Sequence, residues 1–179
     1  KSLRVALNDN LNGAGTEPAT KTHSPIIGFA YDGNPIYGAF GYQDPLDSSS
    51  SIIRMTSSYS INGSRSNGPS LSAYPIGTFV NDYTYTHKSG TLDKNNGRFC
   101  ITPEFPKGTY AYFITIDSNQ TPQYPYILGE NFYSLPVDSN YNSNISQDDI
   151  PKKAKRLYEA GMPRNGEGFI ATISDVKPG

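Results

Sequence analysis

Hydrophobic and polar positions along this chain alternate in short bursts rather than in long stripes. The clearest burst is TYAYFITI, where Thr109, Ala111, Phe113 and Thr115 alternate with Tyr110, Tyr112, Ile114 and Ile116. A period of two puts the sets on opposite faces of a strand, and one set is wholly aromatic and aliphatic. Residues 109–116 therefore read as a core strand. Upstream, two apolar limbs at 26–31 and 36–42 flank Asp32-Gly33, with Pro35 and Gly38 punctuating the return limb. Asp-Gly accepts positive φ at both centres of a tight turn, so the limbs read as a hairpin. Ile52-Ile53-Arg54-Met55 reads as a further short strand, and Leu3, Val5 and Leu7 read as a strand in an N-terminal segment, 1–22.

One local pattern occurs twice. Tyr74-Pro75-Ile76-Gly77-Thr78-Phe79 and Phe105-Pro106-Lys107-Gly108-Thr109-Tyr110 both read aromatic-Pro-x-Gly-Thr-aromatic, and a β-rich run comes after each. Proline fixes its own φ and extends the residue before it. Glycine two residues on takes the positive φ that closes the turn. Two turns built from the same parts explain the echo more simply than a repeat does. Residues 56–72 are rich in Ser, Asn and Gly and read as a long irregular loop.

The expected fold is all-β, a mainly antiparallel sandwich or barrel-like domain over 23–137. An Asn-rich linker at 138–148 leads to one short C-terminal helix from 149 to 160. Ile150, Ala154, Leu157 and Tyr158 share a face of that helix, and Gly161 caps it. Residues 168–176 read as the first strand of a further module. Lys1 and Lys177-Pro178-Gly179 read as cut ends of a longer polypeptide.

Composition changes this picture in one respect. Hydrophobic residues make up only 35% of the chain, but there are 14 Tyr and 8 Phe with no Trp, so the core must lean on tyrosine. Formal charge is −1, which supplies no electrostatic reason to bind nucleic acid or an anionic membrane. No apolar run approaches a membrane span. Cys100, the single cysteine, lies between Phe99 and Ile101 and reads as a buried inert thiol.

Candidate chemistry is sparse. Asp93-Lys94-Asn95-Asn96-Gly97 places oxygens at alternate positions, as a calcium loop does. Its glycine comes fifth rather than sixth and no suitable glutamate comes after it, so an Asx turn is the simpler reading. No metal and no cofactor are expected. His23 reads as backbone-bonded beside a strand, and His87 as part of an exposed turn. Asp32, Asp82, Asp93 and Glu104 are the carboxylates from which a sugar-cleaving pair would be drawn, and an enzyme is the least favoured class. Tyr31, Tyr37, Tyr42, Tyr59, Tyr74, Tyr83 and Tyr85 offer faces that can stack on sugar rings, though a Tyr-filled core accounts for them more economically.

Five pieces taken together carry a resemblance. They are HSPIIGFAYDGNPIYGAFGY (23–42), YPIGTF (74–79), LDKNNGR (92–98), TPEFPKGTYAYF (102–113) and YPYILG (124–129). In this order they resemble the YHYH domain family, whose members carry DGxPIYG, LDxxNG, a Pro-x-Gly-x-Tyr-His-Tyr-His strand and a final aromatic-Pro-Tyr with glycine. On that resemblance His23, Asp32, Gly33, Pro35, Tyr37, Gly38, Gly97, Gly108, Tyr110 and Tyr112 are structural motif positions. The name motif falls at Tyr110-Ala111-Tyr112-Phe113, so both histidines are replaced. Ala and Phe neither bind metal nor move protons, and no role of those histidines carries over. The GTYAYF variant is further similar to segments of very large virion structural proteins of T4-like marine cyanophages. This resemblance implies a tail, baseplate or fibre module, made in the host cytoplasm and built into the virion. It implies other virion proteins or self-association as partners. The alternative, a host-surface polysaccharide, rests instead on the tyrosine content with the Ser/Asn/Gly loops at 43–51 and 56–72.

Overall fold

The computed structural model describes residues 2–136. Contacts divide the chain into two units, Lys1–Val137 and Asp138–Gly179. The linker, the C-terminal helix and the strand at 168–176 expected from sequence lie outside the described residues.

Among the described residues the first unit is all-β apart from one short helix and one 3-10 turn. In chain order it comprises α1 (Ser2–Ala6), β1 (Ile26–Phe29), β2 (Pro35–Tyr37), β3 (Phe40–Tyr42), β4 (Ile52–Arg54) and β5 (Tyr59–Ile61). Then come the 3-10 turn (Val80–Asp82), β6 (Tyr83–Tyr85), β7 (Gly97–Cys100) and β8 (Thr109–Phe113). Four strands make the main sheet in the order β1-β2-β8-β7, while β3-β4 and β5-β6 form two-stranded ribbons. Pairing is antiparallel except between β2 and β8, which run parallel with Ile36 opposite Tyr112 and Tyr37 opposite Phe113.

The only α-helix among the described residues is N-terminal, and it replaces the strand expected at Leu3–Leu7. Alternation over five residues is too short to separate the two periods, and Leu3 is in fact exposed. Long-range contacts decide the outcome. Buried Arg4 donates through Nε to Asp9 Oδ2 at 3.1 Å and pairs with Glu17, while Ser24 Oγ donates to Asp9 Oδ1. Asn8, at φ 54, ends the helix in the left-handed region.

The Asp-Gly hairpin forms, with a different turn from the one expected. Positive φ falls on Gly33 (φ 83) and not on Asp32. Gly33 N–H donates to Ala30 O and Ala30 N–H to Asn34 O, both at 2.9 Å. This is a three-residue loop closed by a left-handed glycine. The return limb then breaks into two strands, β2 and β3, which belong to different sheets. Gly38 sits at the break, where a Cβ would collide with the Asp9 carboxylate. No side chain fits there without displacing the buried Arg4–Asp9 pair.

β8 is the axis of the fold. It lies between β2 and β7, and four of its five residues are buried. Its alternation puts Ala111 and Phe113 into a cluster with Tyr37, Met55, Leu92 and Cys100. Tyr110 and Tyr112 enter a second cluster with Ala30. Tyr37 and Tyr112 are both fully buried, on opposite faces of one sheet.

Candidate functional site

The tyrosine face of β8 is a closed hydrogen-bonding network. Tyr112 Oη donates to Asp32 Oδ2 at 2.7 Å and accepts the Tyr133 amide at 2.7 Å. Asp32 Oδ2 also accepts from Asn34 Nδ2 at 2.8 Å and from the Ser134 amide at 3.1 Å. Tyr110 Oη bridges both oxygens of Asp93 at 2.8 and 2.9 Å. Asp93 Oδ1 further accepts the amides of Asn95 and Gly97, which makes LDKNNG an Asx turn. The Tyr110 and Tyr112 rings meet edge to face with centroids 5.2 Å apart. Tyr133 stacks flat on Tyr110 at 3.7 Å and covers it.

Electrostatics reflect this geometry. Burial pushes both phenols well above their usual range, and Asp93 beside Tyr110 and Asp32 beside Tyr112 push the same way. Burial alone raises the Asp32 carboxyl. The Ser134 amide, the Tyr112 hydroxyl and Asn34 outweigh it and hold the group below the ordinary carboxylate range. Neutral donors therefore meet charged acceptors, a strong pairing. Gly97 is required here by close approach, since a Cβ would lie 2.5 Å from Tyr110 Oη.

The opposite face is drier. Tyr37 Oη lies 2.8 Å from both Glu104 Oε2 and Thr102 Oγ1. His23 packs against Tyr37, Tyr42 and Phe113 with centroids 5.1, 4.9 and 6.1 Å away. Its Nδ1 is 2.8 Å from Ser24 O, the backbone bond expected for it, and that contact requires a proton on Nδ1. Nε2 is buried without a partner, and burial lowers the imidazole pKa. Burial likewise raises the Cys100 thiol, the opposite of what a nucleophile needs.

The other tyrosines separate. Tyr59, Tyr83 and Tyr85 do come together on the β5-β6 ribbon, joined by Tyr124 and Tyr126. They pack against one another, Tyr83 face to face with Tyr124 at 4.0 Å and the others tilted or edge-on. Tyr37 is core, Tyr42 packs on His23, and Tyr31 and Tyr74 are each 48% exposed elsewhere. The seven tyrosines thus form no single platform. Beside the ribbon lies a polar cleft of about 370 Å³, lined by Asn62, Ser64, Arg65, Asn67, Phe79 and Asn81 among others. Arg65 and Asp82 form an ion pair at its base, 2.6 Å apart. That pair was invisible in the sequence, because nothing in residue spacing links positions 65 and 82. The four carboxylates considered for catalysis are divided. Asp32 and Asp93 hold the tyrosine face, Glu104 meets Tyr37, and Asp82 is bound to Arg65. No group of three His, Cys, Asp or Glu residues able to hold a metal occurs among the described residues.

The YHYH protein family model matches residues 10–126. The chain belongs to the YHYH family. No curated protein and no solved structure shows significant similarity to it. The geometry explains how a YHYH domain tolerates loss of both histidines. Tyr110 and Tyr112 face the carboxylate network, while positions 111 and 113 face the apolar cluster. Ala111 and Phe113 simply extend that cluster, and Phe113 stacks on Tyr37 at 5.6 Å. Tyr133 and Ser134, which seal the tyrosine face, lie beyond the residues matched to the family.

Proposed function

We propose that this YHYH domain is an assembly module of a large phage virion protein, in the tail, baseplate or fibre. The observation that carries the reading is the pair of terminal strands in the main sheet. β1 and β7 end the strand order, and each bears a Phe more than half exposed, Phe29 at 56% and Phe99 at 55%. Terminal strands present unpaired backbone groups, and exposed aromatics beside them favour strand addition or docking by another chain. The groups capable of chemistry are meanwhile engaged in holding the fold. The reading assigns the domain no catalytic step, cofactor or metal, and its partners are neighbouring virion proteins or a second copy. The similarity of the GTYAYF variant to segments of cyanophage virion proteins supports the location.

Light scattering after size exclusion, with a density map of the assembled particle, tests the proposal. Ordered contacts at β1 or β7, weakened by Phe29→Glu or Phe99→Glu without loss of melting temperature, are expected. A monomer whose two edges stay bare in the particle would sink the idea.

A further inference from the structure

We infer that the cleft between residues 62–69 and the 79–82 turn is a saccharide-binding site that takes neutral sugars. The inference goes beyond the assembly reading and does not depend on it. It starts from the state of the ion pair at the base of the cleft. Arg65 has five N–H donors. Nε donates to Asp82 Oδ1 at 2.7 Å, and Nη2 donates to Asp82 Oδ2 at 2.6 Å and Pro75 O at 3.3 Å. Nη1 donates to Pro69 O at 2.8 Å and Tyr74 O at 3.1 Å. All five are used. Asp82 is equally committed, because Oδ2 also accepts the amides of Gly77 at 2.9 Å and Phe79 at 3.0 Å. The two charges cancel each other and have nothing left for a ligand. An anionic ligand therefore finds no cation to pair with among the residues lining the cleft.

The remaining lining groups are of the opposite kind. The side chains of Ser64, Ser66, Asn67 and Asn81 make no hydrogen bond with any described residue. Hydroxyls and amides both donate and accept, as do the vicinal hydroxyls of a sugar. Phe79 lines the same cleft, its ring held by Arg65 at 4.7 Å and by Tyr74 at 5.5 Å from its centroid, and 36% of the residue remains exposed. An aromatic beside free hydroxyls and amides suits a pyranose, whose C–H face is apolar and whose rim is polar. A volume of about 370 Å³ falls in the range of small-molecule sites. A peptide would call for apolar pockets, and this lining is dominated by Asn and Ser. The rigid Arg65–Asp82 pair fixes the loop backbone, so the open side chains are presented by an ordered scaffold.

The test uses the full chain with two panels of oligosaccharides. One is neutral, built from hexoses and N-acetylhexosamines, and the other is acidic, carrying uronic or sialic acid. Titration calorimetry reads affinity, and ¹⁵N–¹H spectra locate the bound sugar. At least one neutral sugar should bind, shifting amides within 62–69 and 79–82. Its affinity should be unchanged between about 0.05 and 0.5 M salt, since no free charge takes part. Asn67→Ala with Asn81→Ala should weaken it at least tenfold and leave the melting temperature in place. Silence across the neutral panel overturns the inference. So does binding confined to acidic sugars and lost in salt, or binding indifferent to the double substitution.

Discussion

The two aromatic-Pro-x-Gly-Thr-aromatic segments begin alike and end differently. Gly77 and Gly108 have nearly the same left-handed φ, 95° and 96°. Each segment also closes with a backbone bond from its turn, Thr78 N–H to Pro75 O in the first and Gly108 N–H to Phe105 O in the second. Beyond the turn they diverge. The second feeds directly into β8, whose Tyr110 is 5% exposed and whose two tyrosine hydroxyls are answered by carboxylates and an amide. The first feeds into a 3-10 turn, leaves Val80 49% exposed, and only then reaches the β5-β6 ribbon beside the open cleft. Local sequence sets the turn. Whether the strand after it becomes core or surface depends on what the rest of the chain brings to it.

The sharpest way to test that contrast is to truncate one aromatic from each region. Tyr112→Ala removes a fully buried ring from the sheet and should cost roughly 3–5 kcal/mol of stability. Tyr83→Ala, on the half-buried ribbon, should cost less, about 0.5–3 kcal/mol. Urea denaturation of both variants measures the difference. Equal losses would mean that the ribbon is as central to stability as the sheet.

Tyr112→Phe separates ring from hydroxyl. It leaves the Tyr133 amide without its acceptor and removes one donor from Asp32, so about 1–3 kcal/mol should be lost. The Tyr133–Ser134 segment should loosen first, which amide exchange at these two residues reads directly. A variant as stable and as protected as the parent would show that the network is incidental to packing.

The two ends of the pH scale should act through different kinds of group, buried phenols at the alkaline end and hydrogen-bonded carboxylates and an imidazole at the acid end, in both regions. Burial raises the phenols of Tyr37, Tyr110 and Tyr112, so they stay neutral in the folded chain after an unfolded chain would ionise near pH ~10. Their contribution is complete below pH ~10 and is lost above it, in the sheet. At Asp82 the Arg65 guanidinium holds the carboxyl far below the usual range. Its contribution is complete above the unfolded value of pH ~4 and is lost as pH falls below that, in the cleft. His23 adds an earlier acid step. Burial lowers its pKa, so its contribution declines as pH falls below ~6.5. Melting temperature against pH, repeated with His23→Gln, should remove the early step and keep the later one. Persistence of the early step would place it elsewhere.

Much of the sheet was legible because its signals are local. Alternation over 109–116 marked β8, though the strand stops at Phe113, and Asp32-Gly33 marked the hairpin loop. Tyr110 and Tyr112, on the aromatic side of that alternation, are both buried. The illegible part depends on distance along the chain. Parallel pairing of β2 with β8 joins residues 76 positions apart, Ile36 with Tyr112, and this splits the tyrosines between two faces. The Arg65–Asp82 pair and the Tyr133 stack are equally non-local. At the N-terminus an ion pair outweighed an alternation too short to hold a strand. The Asp-Gly signal located its turn yet assigned positive φ to one residue too many.

Gly33→Val tests that turn with a smaller expected effect. A Cβ at Gly33 meets nothing within 4 Å, so the cost is conformational alone. Holding a non-glycine residue at φ 83 costs about 1–2 kcal/mol, and β-branching puts valine at the upper end. Gly33→Asn should cost less, since asparagine tolerates the left-handed region. Equal melting temperatures for the two variants would show that the hairpin relaxes and that its geometry is not enforced.

The smallest effect is expected at His87, the imidazole on the ribbon side. It is exposed, in the turn after β6, and its Nδ1 lies 3.2 Å from Tyr85 Oη. A hydrogen bond between exposed partners exchanges readily for water, so its loss should move stability by no more than about 0.5 kcal/mol. His23→Ala is the matched control in the sheet. It empties a site packed by Tyr37, Tyr42 and Phe113 and should cost several times more. Thermal melts of the two alanine variants rank them. If His87→Ala proved the more damaging, the ribbon would carry a constraint that neither its exposure nor its hydrogen bonding shows. The contrast between a buried sheet and a more exposed ribbon would then have to be abandoned.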